Sequence, residues 1–283
     1  MDSGGSRMIK CEGTGSCKGQ GRYMYSPGSS PMWIRTVSCL VACLLGVLFL
    51  SAQSVAIDMQ AVEVMKKLQR LLRSETNIAR YTMHVITPDW ERTMRLEAWD
   101  DLPGKRFFIR ILSPKKDRDT TFLKVGPNLW MYIPKLERDI RIPPSMMLSS
   151  WMGSDFTNDD LVKFSSVVED YHHRIVRQEG DVLIVESIPK PDAAVVWGKL
   201  VHYIQLDGLP LLEEFYDEDG NKVRVMHFEE PKEMGGRRIP SRWVMEPLNK
   251  PGHRTVMEIE QIQFDAPIPP SVFERANLRR RRH

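Results

Sequence analysis

The sequence predicts a mainly antiparallel β protein, about eleven strands arranged as a sandwich or a barrel, on three observations. From Arg80 onward apolar and polar residues alternate with a period of two, which gives each segment one apolar face. Turn-forming groups recur between these segments: Gly126-Pro127-Asn128, Glu179-Gly180-Asp181, Asp207-Gly208-Leu209-Pro210, Asp219-Gly220-Asn221, Gly235-Gly236 and Pro251-Gly252. The connections are also too short for parallel crossovers, which take a dozen residues or more, so strands adjacent in sequence are antiparallel.

Three stretches precede the strands. Residues 1–31 are rich in Gly and Ser and poor in large apolar groups; they build no core and read as a disordered or mis-annotated extension. Residues 32–56 follow the plan of a secretory signal peptide: Arg35, the apolar run Val37 to Leu50, then the small-residue site Ser54-Val55-Ala56. The run is short for a bilayer span, so the expectation is export to the periplasm with cleavage after about Ala56 and translation starting at Met24 or Met32. Leu40-Val41-Ala42-Cys43 resembles a lipobox that would place a lipid on Cys43, but a lipobox closes the apolar run and this one continues through Leu50. The four cysteines, Cys11, Cys17, Cys39 and Cys43, all precede the cut. The mature chain, residues 57–283 read as a single domain, therefore has no disulfide or thiolate chemistry, and it is long enough to fold without such staples.

The mature region opens with an amphipathic helix. Asp58 is placed to cap it; Ala61, Val64, Met65, Leu68, Leu71 and Leu72 form its apolar stripe, and Lys66, Lys67, Gln69, Arg70 and Arg73 its polar side. The strands that follow give that stripe something to cover, which favours packing on the protein's own sheet over lying on a membrane surface. A first series of strands reads "RYTMHVI", "TMRLEAW", "RFFIRIL", "TTFLKV", "LWMYI" and "RDIRI", and stops at Pro143-Pro144. A second reads "HRIVRQ", "VLIVESI", "KLVHYIQL", "LLEEFYD", "NKVRVMHF" and "TVMEIEQIQF". A short helical turn is expected at 271–276 after Pro267, Pro269 and Pro270, then a solvated basic tail, Arg279 to Arg282.

Between the two series lies an interruption, Ser145 to Phe164. Thr157 is placed as an N-cap with Asp160 at capping-box spacing, and Asp159 stands near the positive end of the helix dipole. These aspartates thus have a structural task before any chemical one. Ahead of them Met146, Met147, Leu148, Trp151, Met152 and Phe156, with Leu161 after, concentrate adaptable apolar side chains suited to core filling or to a ligand-facing cover. A curved sheet has a concave face that must be filled, covered or left open to a guest. Two coverings, the first helix and the interruption, are few for so many strands, which predicts a hydrophobic cavity. Inward positions of the first series supply its wall candidates: Met83, Met94, Leu96, Phe107, Ile109, Trp130 and Tyr132.

Taken together, the signal peptide, the amphipathic helix, the antiparallel strands and "WMGSDFTNDDL", with Ser154 to Leu161 as the most specific stretch, resemble the outer-membrane lipoprotein-sorting proteins of the LolA-like superfamily. The resemblance covers about Asp58 to Leu278. It implies an unclosed half-barrel with a helical lid over a hydrophobic cavity that shelters acyl chains of lipoproteins or lipids in the periplasm. It also implies an inner-membrane exporter that loads the carrier and an outer-membrane acceptor; the chain itself is read as a monomer. An arginine that latches the lid belongs to the resemblance too; Arg95 and Arg110 are candidates by their place on early strands, although simple alternation turns both outward.

Other functions have less to stand on. His172 and His173 with Asp155, Asp159 and Asp160 could be imagined as the metal site of a hydrolase, but the spacing fits no ligand motif, and no nucleophile elbow, zinc-protease motif or phosphate loop is present. The reading is therefore of a non-enzyme without cofactor. A net charge of +3, with basic residues interspersed among acids, gives no nucleic-acid surface. The alternative is a periplasmic sensor or regulatory module that binds lipid or lipoprotein without moving it.

Overall fold

The computed structural model describes residues 58–163 and 166–280. The stretch read as a signal peptide, with Cys43, and the end of the basic tail lie outside the described residues. Helix α1 covers residues 58–73, with Asp58 itself helical. Strands β1 (Thr76–Ile86), β2 (Glu91–Asp101), β3 (Arg106–Ser113), β4 (Thr121–Val125), β5 (Asn128–Ile133) and β6 (Arg138–Ile142) form the first series. After a 3₁₀ turn at Pro144–Met146 and helices α2 (Asn158–Lys163) and α3 (Val167–Asp170) come β7 (Tyr171–Glu179), β8 (Val182–Pro189), β9 (Lys199–Gln205), β10 (Pro210–Tyr216), β11 (Lys222–Met234), β12 (Arg237–Pro247) and β13 (Arg254–Phe264). A 3₁₀ turn at Pro270–Phe273 and helix α4 (Arg275–Leu278) follow.

All thirteen strands belong to one sheet, in the order β6-β5-β4-β3-β2-β1-β13-β12-β11-β10-β9-β8-β7. Against the expected eleven or so there are thirteen, and the one strand without a segment quoted above is β12, which carries Pro240 and Ser241 among its apolar residues and hides its own alternation. Each series is a meander, and the two are joined where β1 pairs with β13, Met83 opposite Met257 and Val85 opposite Thr255. Register shifts at Arg80/Tyr81, Arg95/Leu96, Ile175/Arg177 and Phe215/Tyr216 mark bulges, which bend strands and sharpen twist. The sheet stays unclosed, with β6 and β7 as its two edges.

This topology explains the interruption. β6 and β7 are consecutive in sequence yet lie at opposite edges, so residues 143–170 have to cross from one edge to the other. They cross the inner face, where Trp151 and Phe156 join the core.

The inner face carries two apolar clusters. One, from the first series with Trp151 of the crossing chain, includes Met83, Met94, Leu96, Phe107, Ile109, Ile111 and Phe122. The other, from the second, includes Leu200, Phe215, Met226, Phe228, Trp243 and Met245. Tyr81, Met257 and Phe156 pack against both. α1 lies on the second series, with Ala61 and Met65 buried against Val185 and Ile204. On the outer face a separate cluster of Phe108, Leu123 and Tyr132 is sealed by Phe273 and Leu278. The basic tail begins by docking rather than as a free solvated end: Arg279 forms a forked pair with Asp139 at 3.0 and 3.1 Å.

Candidate ligand-binding site on the inner face

The chain from Ser149 to Thr157 folds into a small hairpin because its residues suit one. Met152 and Gly153 both have positive φ, 54° and 76°, and the Ser154 amide donates to the Trp151 carbonyl at 3.0 Å. Two successive positive φ values are the mark of a type I′ turn, for which glycine is suited. The Trp151 amide donates to the Phe156 carbonyl at 2.7 Å and Ser150 bridges Thr157. α2 then starts with a reciprocal cap: the Thr157 amide donates to Asp160 Oδ2 at 2.7 Å, and the Asp160 amide to Thr157 Oγ1 at 3.2 Å. α2 spans six residues, so the cover is a hairpin followed by a short helix, and the helix is the smaller part.

Side-chain bonds tie this cover to the second series. Thr255 Oγ1 donates to Asp155 Oδ2 at 2.7 Å and accepts from the Asp155 amide at 2.9 Å. Arg224 on β11 makes the strongest tie. Its guanidinium forks onto Asp160, with Nη1 to Oδ2 at 2.8 Å and Nη2 to Oδ1, and Nη1 also donates to the Asp155 carbonyl at 3.2 Å. It lies against the rings of Phe215 and Trp197, 4.2 and 4.3 Å from their centroids. A fork on a carboxylate, screened from water by two aromatic faces, is the strong form of an ion pair.

Beneath the cover are two apolar lobes. The Trp151 lobe, about 150 Å³, is lined by Leu96, Ala98, Phe107, Ile109, Trp151 and Met257, among others. The α1 lobe, about 110 Å³, is lined by Met65, Leu68, Trp197, Leu200, Phe215 and Met226, with Glu213 and His202 among its walls. Leu72, Arg73, Phe156 and Asp160 line both. A 150 Å³ apolar cavity takes benzene, so each lobe as it stands accepts a short hydrocarbon segment.

The structure sorts the residues singled out from the sequence. Leu96, Phe107, Ile109, Trp151, Phe156 and Leu161 line the Trp151 lobe. Met83 and Met94 are buried beside it, and Met147 and Met152 pack against the same cluster. Met146 and Leu148 are instead exposed, at 46% and 61%. Trp130 and Tyr132 do not form cavity wall: on β5 it is Leu129 and Met131 that face inward, while Trp130 and Tyr132 belong to the outer cluster, with Arg275 4.0 Å from the Trp130 ring. The arginines considered for the latch are bonded elsewhere among the described residues. Arg95 forks onto Glu260 at 2.8 and 2.6 Å, and Arg110 contacts Asp119 at 3.3 Å.

The functional residue that sequence reasoning missed is Arg224. Its signal was parity: on β11 it shares a face with Met226 and Phe228, and an arginine in register with an apolar stripe is expensive to bury unless it is paired. His172, exposed, and His173, buried, lie on opposite faces of β7. Among the described residues no three His, Cys, Asp or Glu side chains converge as metal ligands.

A family model described by the words "uncharacterized protein" matches residues 104–280. Three solved structures share the fold. A DUF1329 family protein from Desulfovibrio piger aligns with a TM-score of 0.71 at 20% identity, over 78% of this chain and 99% of its own. A putative outer membrane lipoprotein-sorting protein domain from Vibrio parahaemolyticus gives 0.68 at 22% identity, over 79% and 100%. A LolA superfamily protein from Nitrosomonas europaea gives 0.66 at 20% identity, over 77% and 98%. No curated protein matches the chain. The chain belongs to the family of that model, and its fold is the one these three structures share.

Proposed function

We propose that the protein is a periplasmic carrier that holds acyl chains of lipoproteins or lipids on its inner face and moves them toward the outer membrane. The observation that carries this reading is the pair of apolar lobes meeting at Phe156 and Asp160 under a cover held by Arg224. In the closed form the protein's own Trp151 and Phe156 occupy much of the inner face. A longer chain enters by displacing them, and each methylene it buries gains about 0.8 kcal/mol. Release is favoured when the cover returns: Trp151 repacks on Phe122 and the Arg224–Asp160 fork closes again. Met147, Met152, Met226 and Met257 border this space, and their flexible side chains suit an occupant of variable shape.

On this reading the mature chain, residues 57–283, acts as one monomeric domain after cleavage near Ala56, is loaded by an inner-membrane exporter and unloaded by an outer-membrane acceptor. The chemistry is transfer without covalent steps. Native mass spectrometry of the protein recovered from bacterial envelopes tests it: a bound species of lipid or acylated-peptide mass is expected. Mixing the loaded protein with vesicles should then deliver the ligand to them. A ligand-free protein, or one that retains its ligand in the presence of acceptor vesicles, would count against the carrier.

A further inference from the structure

The α1 lobe has a polar pole that neither the fold nor the cover uses. Glu213 on β10 and His202 on β9 both line it, and their side chains are only 13% and 4% exposed. Glu213 Oε1 stands 3.5 Å from His202 Nδ1. Behind His202 runs a chain of contacts: His202 Nε2 to Ser187 Oγ at 3.0 Å, Ser187 Oγ to His173 Nδ1 at 2.7 Å, and His173 Nε2 to the Val168 carbonyl at 3.4 Å.

That carbonyl sets the direction of every proton in the chain. It can only accept, so His173 Nε2 donates to it, and a neutral ring then turns a lone pair on Nδ1 toward Ser187. Ser187 gives its proton to that lone pair and accepts from His202 Nε2–H, which leaves a lone pair on His202 Nδ1 facing Glu213. Burial keeps both rings neutral, lowering His173 to about 4 and His202 to about 3. Burial also pushes the Glu213 carboxyl up to about 8, against the opposing influence of Arg224 and with the aid of Asp160. A proton on Glu213 satisfies the lone pair; a carboxylate would meet it head on. With that proton turned to His202, the other oxygen of Glu213 is left as an acceptor.

We propose that this oxygen recognises a hydroxyl group carried by the apolar ligand, so that the α1 lobe selects hydroxylated chains over plain ones. A neutral donor suits the place better than an ammonium, because Arg73 lines the same lobe and Arg224 acts on Glu213. The proposal rests on the reading of the lobes as a ligand site, and the test separates the two. Displacement of Nile red from the exported protein at pH 7 would be titrated with 1-decanol, its methyl ether and decylamine. Decanol should bind about fivefold tighter than the ether, the worth of one hydrogen bond. Glu213→Gln should keep that ratio, its amide donating to His202 and its carbonyl facing the lobe. Glu213→Leu should bring the ratio to about one by weakening decanol alone. Equal binding of decanol and ether to the unmodified protein, a preference that survives Glu213→Leu, or tighter binding of decylamine than of decanol overturns the hydroxyl assignment while leaving a ligand site. Failure of all three to displace the dye removes both readings.

Discussion

The two lobes share a sheet and a cover, yet they are built on opposite plans. In the Trp151 lobe the polar groups are bound to one another: Arg73 Nε meets Asp100 Oδ2 at 2.7 Å, and Asn77 Nδ2 donates to the Arg73 carbonyl at 2.9 Å. The hairpin seals this lobe with an indole that is 2% exposed. In the α1 lobe a helix forms the roof, and Glu213 and His202 remain in the wall. The crossing chain leaves β6 and lands first on the first series, so its packing is concentrated there, while the fork from Arg224 secures it to the second. The comparison teaches a division of labour: hydrophobic burial on one side sets what opening costs, and buried polar groups on the other set what is admitted.

The sharpest way to break this division is at Trp151. Its ring meets Phe122 edge-on, with centroids 5.5 Å apart, inside the first cluster. Trp151→Ala should cost about 3–5 kcal/mol in urea unfolding, by lost contacts plus the cavity left behind. Trp151→Phe should cost much less, because it keeps an aromatic ring and removes a buried indole N–H that has no partner among the described residues. Next in size is Arg224→Leu, which leaves the largely buried carboxylate of Asp160 without its counter-ion and should cost about 3 kcal/mol. Its effect should be local, with amide hydrogen exchange accelerating through residues 149–163 while β1 and β13 keep their protection. Adding Asp160→Asn should recover part of the loss, since no charge is then left unpaired.

How far the sequence foretold this follows from what alternation encodes. Period two and turn chemistry are local, so the meanders and the inward parity of Leu96, Phe107 and Ile109 were readable. Thr157 and Asp160 were readable as a cap for the same reason, since both partners lie within one helical turn. Trp130 and Tyr132 went astray because β5 is apolar on both faces, and the covering by Phe273 and Leu278 comes from far along the chain. Arg224 and the Glu213 chain were hidden for a related reason. Their partners sit on other strands or on the cover, and pairings across a sheet depend on strand order, which alternation does not encode.

The polar pole of the α1 lobe should also appear in stability against pH. Around Glu213 stand His202, Tyr171, Arg224 and Asp160. Its carboxyl holds a proton to about 8 when folded, against 4.5 when unfolded, so it costs stability as pH rises through that interval. His173 and His202, held neutral to about 4 and about 3 against 6.5, act oppositely and add stability as pH rises to 6.5. Two groups outweigh one below 6.5, and Glu213 acts alone above it. Stability should therefore peak near pH 6.5 and fall by about 2 kcal/mol by pH 8, at about 1.4 kcal/mol per proton and pH unit. Glu213→Gln should flatten the alkaline fall and leave the acid side in place; an unchanged profile would remove Glu213 from the account.

The smallest effect is expected where the two lobes are not involved. Arg95 forks onto Glu260 on the outer face, and this bond, ahead of the one from Thr82, holds the Glu260 carboxyl down at about 2. The arginine side chain is half exposed, and water screens such a pair and repays most of its loss. Arg95→Ala should shift Tm by no more than about two degrees near neutral pH. It should leave ligand release and hydrogen exchange in the cover unchanged, because among the described residues Arg95 is bonded to Glu260 and not to the cover. If Arg95→Ala instead loosened the cover as Arg224→Leu does, the inner and outer faces would be coupled through β2, and a division of labour confined to the two lobes would no longer describe the molecule.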